Sequence, residues 1–211
     1  MPDLDQLLLA VIDGNWKTAA AVTQEALDAG VPPLTIVTGY LVRAMDEVGR
    51  RFECEDYFVP EMLLSARAMK ASMEIVRPLL VAAGTEPIGR VVIGTVKGDL
   101  HDIGKNLVAS MLEGGGFEVI DLGADVSPQR FIDAANERHA NLVALSALLT
   151  VTMPSMKTTI EAFRAAGIRD SVRIMVGGAP VTQQYADAIG ADGYSDSAGS
   201  AVALARKLVG L

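Results

Sequence analysis

The sequence predicts an α/β protein built as an N-terminal four-helix bundle followed by a doubly wound, five-stranded parallel sheet. Three observations predict it. From Leu4 to about Leu80 the apolar residues recur at helical spacing. Gly84-Thr85-Glu86-Pro87-Ile88-Gly89 then has linker composition. Beyond it, short β-branched runs alternate with amphipathic helical segments, the pattern of parallel strands covered on both faces. These changes divide the chain into a helical domain over 1–84, a linker over 85–89 and a sheet domain over 90–211.

In the helical part, Leu4, Leu7, Leu8, Val11 and Ile12 form one apolar stripe. Val37, Tyr40, Leu41, Ala44, Met45 and Val48 form another. Between them Asn15 is placed to cap a helix that starts at Trp16, Gly30 to end it, and Pro32-Pro33 to restart the chain in a first helical turn. A fourth helix is expected from Pro60, burying Met62, Ala66, Met69, Met73 and Val76, with Pro78 kinking or ending it because its ring lacks an N–H and clashes with the preceding turn. Short connections make this a bundle. In the second part strands are expected at Arg90–Val96, Glu118–Leu122, Leu142–Ala147, Arg173–Val176 and Asp192–Tyr194. Helices are expected at about 104–114, 128–138, 154–166, 181–189 and 197–209.

Half of the 211 residues are apolar, enough to bury a sizeable core. The formal net charge of -8 argues against nucleic acid as a partner, since such binding is driven by Lys and Arg displacing condensed counterions. A single cysteine, Cys54, rules out an internal disulfide and a cysteine-based metal cluster, and fits a reducing compartment. The acidic start, Met1-Pro2-Asp3-Leu4-Asp5, does not read as a secretory signal, and no uninterrupted apolar run reaches membrane-spanning length. The expectation is a cytoplasmic protein without a membrane partner.

In an open parallel sheet, ligands bind beyond the C-terminal strand ends. Three loops lie there: Gly98-Asp99-Leu100-His101-Asp102-Ile103-Gly104-Lys105-Asn106, Ser146-Ala147-Leu148-Leu149-Thr150-Val151-Thr152 and Gly177-Gly178-Ala179-Pro180. His101 stands two residues after Asp99, and a carboxylate on the second nitrogen of an imidazole fixes its tautomer and raises its basicity as a metal ligand. One histidine does not hold a bare metal ion, which needs three or four protein ligands, but it can give one axial ligand to a macrocycle that supplies the rest. The alternative is a loop histidine beside an aspartate that caps the next helix. Gly177-Gly178 removes two side chains where something large must approach the backbone, or else makes a tight turn. Ser146, Thr150 and Thr152 present hydroxyls, either to a buried group or as strand-end and cap residues. His139, just before the third strand, reads as a surface residue, and most of the nine Met residues as core filler.

Together, Asp99-x-His101-x-x-Gly104, Ser146-x-Leu148 and Gly177-Gly178 resemble the cobalamin-binding signature of methionine synthase, the cobalamin-dependent mutases and the corrinoid methyl carriers. The resemblance extends to Phe52-Glu53-Cys54-Glu55-Asp56-Tyr57-Phe58-Val59-Pro60-Glu61, which is similar to the helical cap preceding the B12-binding domain in methionine synthase and corrinoid carriers and absent from the mutases. It implies a flavodoxin-like or Rossmann-like B12-binding domain holding cobalamin, as methylcobalamin or a related corrinoid, base-off and His-on. His101 would be the lower axial ligand of cobalt, Asp99 its hydrogen-bond partner, and Thr152 the hydroxyl completing the proton relay where methionine synthase has serine. Gly98, Asp102, Ile103 and Gly104 would contact the cofactor around the histidine. Ser146, Leu148 and Thr150 would line the slot for its nucleotide tail, with Gly177, Gly178 and Ala179 giving room, and Phe52 and Val59 would cover the upper face of cobalt.

The resemblance further implies a carrier that shuttles a methyl group between a donor-specific methyltransferase and an acceptor methyltransferase of tetrahydrofolate or coenzyme M type, with a reductive activator protein as a third partner. No part of the chain remains to bind a methyl donor. Two other readings are a cobalamin-binding subunit of an adenosylcobalamin-dependent mutase and a cobalamin-binding sensor module. The cap weighs against the first, and the lack of a basic helix-turn-helix segment against the second. The methyl donor is open between methanol, methylamines, betaines and aromatic methyl ethers.

Overall fold

A computed structural model describes residues 3–84 and 86–211. Met1 and Pro2 of the N-terminal reading, and Thr85 of the linker, lie outside the described residues. The chain separates into two compact units, one of the described residues up to Pro87 with Glu113–Gly116, the other of Ile88–Leu112 with Phe117–Leu211.

The first unit contains α1 (Leu4–Ile12), α2 (Trp16–Asp28), α3 (Pro33–Ile36), a π-helical turn over Val37–Leu41, α4 (Val42–Glu53) and α5 (Val59–Ala82). Asn15 caps α2 by accepting from the Thr18 amide at 3.2 Å. The segment from Pro33 to Glu53 stays helical throughout, but the Val42 amide reaches back to the Val37 carbonyl, which inserts one extra residue into the turn. Leu7, Val11, Val37, Leu41, Ala44, Met45 and Val48 are buried, as their periodicity predicts, whereas Tyr40 is half-buried.

The fourth helix departs from expectation in two ways. It runs on past Pro78 to Ala82, with Pro78 exposed on its surface. Its inner stripe is also more polar than expected. Met62, Met69 and Val76 are buried, but Ser65, Ala68 and Ser72 share the inner face, while Ala66 and Met73 are only half-buried. The two serines are satisfied across the bundle. Ser65 Oγ donates to the Ile12 carbonyl at 2.7 Å, and Ser72 Oγ accepts from Thr23 Oγ1 at 3.0 Å. The Tyr57 hydroxyl donates to the same Ile12 carbonyl at 3.2 Å, which ties the α4–α5 connection to the end of α1.

The second unit has the strands β1 (Arg90–Thr95), β2 (Glu118–Asp121), β3 (Leu142–Ser146), β4 (Arg173–Gly177) and β5 (Gly193–Ser195), all parallel, in the order β2-β1-β3-β4-β5. Its helices are α6 (Ile103–Gly114), α7 (Pro128–Glu137), α8 (Pro154–Ala165), α9 (Gln183–Ile189) and α10 (Ala198–Leu208), with a short 3-10 turn at Arg169–Ser171. The sequence boundaries differ mainly at helix starts, where Thr182 and Ser197 are capping residues outside their helices. On one sheet face Val92, Val143, Leu145, Ile174 and Val176 pack with Phe131, Ile132, Met156, Ile160, Phe163, Ala186 and Ile189 from α7, α8 and α9. The alternate residues Val91, Ile93, Leu142, Ala144 and Met175 are buried on the other face. This two-sided burial explains why the strands read as apolar runs. Among the described residues, no helix is long and apolar enough to cross a membrane.

The Thr23–Ser72 bond lies wholly in the interior of the bundle. Ser72→Ala strands the Thr23 hydroxyl and should lower stability in urea unfolding by about 1–2 kcal/mol. Adding Thr23→Val should recover a measurable part of that loss, because no buried donor is then left without a partner. A double variant less stable than the single one would show that the bond has another role.

Candidate functional site

Connections leave β1 in one direction and β3 in the other, so the crevice of the sheet falls at the C-terminal ends of these two neighbouring strands. Beyond β1, Val96 makes a single parallel bridge to Val126, and the chain turns at Gly98, whose φ of 87° lies in the region that favours glycine. Asp99 follows with its side chain fully buried. One carboxylate oxygen, Oδ1, accepts from the His101 amide and faces His101 Nδ1, each at 3.1 Å. The other, Oδ2, accepts from the Leu148 amide at 2.8 Å, the Leu149 amide at 3.3 Å and Thr152 Oγ1 at 2.6 Å. Asp99 therefore links the loop after β1 to the loop after β3.

Burial alone would push the Asp99 carboxyl up. The hydrogen bonds from Thr152, the Leu148 amide and both the amide and ring of His101 outweigh it and hold the group well below the usual carboxylate range. An ionised carboxylate only accepts, so in a neutral His101 the ring proton sits on Nδ1 and Nε2 keeps its lone pair. Nε2 has no protein partner among the described residues, and the side chain is 53% exposed. The Thr95 hydroxyl, at the end of β1, donates to the His101 carbonyl at 2.7 Å and fixes the backbone beneath the ring.

Large apolar side chains near His101 in the chain and on the loop after β3 are exposed. On the two loops joined by Asp99 and at the start of α6, Leu100 and Ile103 are each 77% exposed, Val151 is 80% exposed, and Leu148 and Leu149 are each 41% exposed. Four large apolar side chains in loops and a fifth, Ile103, at the start of α6 face solvent, which marks a surface built to be covered. Among the described residues, no group of three or more His, Cys, Asp or Glu comes together that could hold a metal ion unaided. What the site offers is a single outward-facing imidazole nitrogen in an apolar setting, the donor set suited to one axial position of a metal already held in a macrocycle.

The remaining residues singled out from the sequence are placed as follows. The Asp102 carbonyl accepts the Asn106 amide at 2.7 Å and so begins α6, where Ile103 and Gly104 form the first turn, the space beside Gly104 being open. Ser146 ends β3 half-buried, in register with Thr95 on one side and Gly177 on the other, and Thr150 is exposed in the turn that follows. Gly178 has a backbone reason of its own: at φ 128°, an added Cβ would fall 1.9 Å from the Ala147 carbonyl oxygen. Gly177 is less crowded, with the Ser195 carbonyl at 3.1 Å from such an atom, and Ala179 is exposed. Phe52 and Val59 belong to the other unit, Phe52 half-buried in α4 and Val59 exposed at the start of α5.

Sequence reasoning missed several contributors. Leu100, Leu149 and Val151 were readable as apolar residues in loop positions that fit neither period. Asp125 and the pair formed by Lys105 and Asp121 left no local signal. Lys105 has its side chain 1% exposed in the first turn of α6, with Nζ at 2.6 Å from Asp121 Oδ1 and from Asn106 Oδ1. Asp121 also accepts the Gly123 amide at 2.8 Å, so the pair anchors the turn after His101 to the end of β2.

The buried Asp99 makes a testable contribution to stability. Its folded-state affinity for a proton is depressed below the unfolded value of about 3.9, so its stabilising effect is fully present above that value and fades as pH falls through it toward the folded one. Asp99→Asn puts an amide among donors and should cost about 2–3 kcal/mol near neutral pH. In urea unfolding at a series of pH values, the lead of the wild type should be constant above about pH 5 and shrink below about pH 4. A lead that persists undiminished in acid would show that ionisation of Asp99 is not its source.

Comparison with known proteins places this geometry. Two family profiles, each described as a B12 binding domain, match residues 89–203 and residues 3–77. The chain is 44% identical over 202 residues to trimethylamine corrinoid protein 1 of Methanosarcina acetivorans, covering 95% of this chain and 94% of that protein. It is 42% identical over 207 residues to the dimethylamine corrinoid protein of Methanosarcina barkeri, covering 98% and 97%. Among solved structures, the methanol:cobalamin methyltransferase complex MtaBC from Methanosarcina barkeri aligns with a TM-score of 0.87 at 28% identity, over 98% of this chain and 79% of that one. Matched along nearly its whole length by these relatives, the chain belongs to the B12-binding corrinoid proteins of methyltransferase systems.

Proposed function

We propose that this chain is a corrinoid methyl carrier that takes cobalamin at His101 and acts only in company with separate methyltransferases. The observation that carries the reading is the Asp99–His101 pair, which leaves Nε2 free and exposed within a rim of solvent-facing apolar side chains. The single imidazole donor and the exposed apolar side chains on the neighbouring loops fit cobalamin, which when bound would supply the cobalt chemistry of methyl transfer. The protein's own part would be to hold the cofactor through His101 Nε2, to orient the imidazole through Asp99, and to support Asp99 through Thr152 and the Leu148 and Leu149 amides.

The nucleotide tail of the cofactor is assigned to the strand-end region lined by Ser146, Leu148 and Thr150, with Gly177, Gly178 and Ala179 giving it room. Gly98, Asp102, Ile103 and Gly104 are assigned to the face around the histidine. The helical residues 3–84 are proposed as the cap domain, with Phe52 and Val59 directed at the upper face of cobalt, on the strength of the second B12-binding match. The partners are a donor-specific methyltransferase, an acceptor methyltransferase of tetrahydrofolate or coenzyme M type and a reductive activator, acting in the cytoplasm. Methylamines head the donors to test, because the relatives at 44% and 42% identity are trimethylamine and dimethylamine corrinoid proteins; methanol, betaines and aromatic methyl ethers follow. The same relatives favour this reading over a mutase subunit or a sensor.

In the cobalamin-loaded protein reduced to Co(II), one nitrogen should split the electron resonance signal, and labelling the protein's histidines with nitrogen-15 should change that splitting. His101→Ala should abolish it. Splitting that is indifferent to the label and to the substitution would remove His101 as the ligand. Phe52→Ala and Val59→Ala should lose a cobalt-bound methyl group to light faster than the wild type, and equal rates would take both residues away from the upper face.

A further inference from the structure

We propose that Asp125 is a positioning residue for the histidine loop, clamping Lys97–Asp99 so that movement of the loop is confined to Leu100 and His101. The inference rests on the reading of His101 as the cobalt ligand.

Asp125 lies in the connection between β2 and α7 and has φ 54°, a left-handed conformation that a non-glycine residue adopts at a cost and that aspartate tolerates better than most. Among the described residues, the polar contacts of this strained residue fall on three consecutive residues of the loop after β1. Oδ1 accepts the Gly98 amide at 2.8 Å, Oδ2 accepts Lys97 Nζ at 3.0 Å, and the Asp125 amide donates to the Asp99 carbonyl at 2.9 Å. From the opposite side, Ser155 Oγ donates to the Lys97 carbonyl at 2.9 Å, and the Asp99 carboxylate is held by the loop after β3.

Lys97, Gly98 and Asp99 are thus fixed from both flanks. The next two residues differ: Leu100 and His101 are exposed, and among the described residues the His101 backbone is held by the Thr95 hydroxyl and Asp99 Oδ1 alone. The division suits a ligand that must bind and release the metal while its carboxylate partner stays in place. A clamp at Gly98 keeps Asp99 where Nδ1 will find it again, so that His101 rebinds in one orientation.

Three variants separate positioning from general stability. Asp125→Asn keeps an acceptor for the Gly98 amide and tolerates the left-handed backbone. Asp125→Gly relieves the backbone and deletes the carboxylate, so its unfolding midpoint should stay close to the wild type. Asp125→Ala loses both. In the cofactor-free protein, hydrogen exchange of the Gly98 amide should be about 10-fold faster in Asp125→Gly and near the wild type in Asp125→Asn. With cobalamin bound as Co(II), the equilibrium between histidine-ligated and histidine-free forms, read from the nitrogen splitting, should shift about 5- to 10-fold toward the free form in Asp125→Gly and little in Asp125→Asn. Unchanged exchange and ligation in Asp125→Gly overturn the proposal, as does loss of ligation that merely follows loss of stability across all three variants. If instead His101→Ala leaves the wild-type splitting intact, it is the ligand reading that fails, and the Gly98 exchange still reports on the clamp by itself.

Discussion

The Asp99 carboxylate is the interaction on which the site depends. Taking a carboxylate out of water costs several kcal/mol, and only a full set of donors offsets it. Asp99 has that set: two backbone amides and one hydroxyl from the loop after β3, with the amide and ring of His101 from its own loop. Because the donors come from two loops that are about 50 residues apart in the chain, neither loop can leave without stranding the charge. The rigidity that a ligand needs is thereby delivered to an exposed histidine by a buried neighbour, and the imidazole itself makes little packing.

Around this pair the usual distribution of residues is inverted. Asp99, Lys105, Thr95 and Thr152 are buried, while Leu100, Ile103 and Val151 stand in solvent. Each buried polar group is matched, Lys105 by Asp121 and Asn106, and Thr95 by the His101 carbonyl, so the interior cost is offset locally. The exposed apolar groups have no such compensation within the loops. They make sense when a large apolar ligand lies on the ends of β1 and β3, the one place where an open parallel sheet leaves a crevice between diverging connections.

The division between helical and sheet segments was legible because two-sided burial writes itself into the sequence as apolar runs and one-sided burial as a 3.6-residue stripe. The π turn at Val37–Leu41 was not, since one extra residue in a turn hardly disturbs that stripe, and Pro78 misled because an exposed proline near a helix end is accommodated where an interior one would not be. At the site, Asp99 and His101 were visible because their contact is two residues long. Asp125 was invisible because it meets Gly98 across 27 residues and owes its place to a backbone conformation that no periodicity encodes. The glycine pair has backbone reasons that its sequence does not display: a side chain at Gly178 would run into the Ala147 carbonyl and one at Gly177 would press on the Ser195 carbonyl, both contacts from strands or loops distant in the chain.

A carrier faces a constraint that an enzyme with an enclosed pocket does not. The group it carries must be reached by more than one protein, so the residues that hold the cofactor cannot wall it off. The second unit holds the histidine through buried polar groups and sets large apolar side chains in solvent on the same loops and the adjoining helix start. Asp99, Thr152 and the amides of Leu148 and Leu149 fix the histidine from beneath, while Leu100, Ile103 and Val151 offer a face with no geometric demand of its own. Dispersion and burial are non-directional, so a face of this kind tolerates small shifts of what lies on it without losing affinity. A hydrogen-bonded face would not, since each shift would leave a polar group unpaired. Directional hydrogen bonds to Asp99 and non-directional apolar contact at Leu100, Ile103 and Val151 therefore form a division of labour that suits the proposed carrier role, in which a ligand held at His101 must stay open to partner proteins.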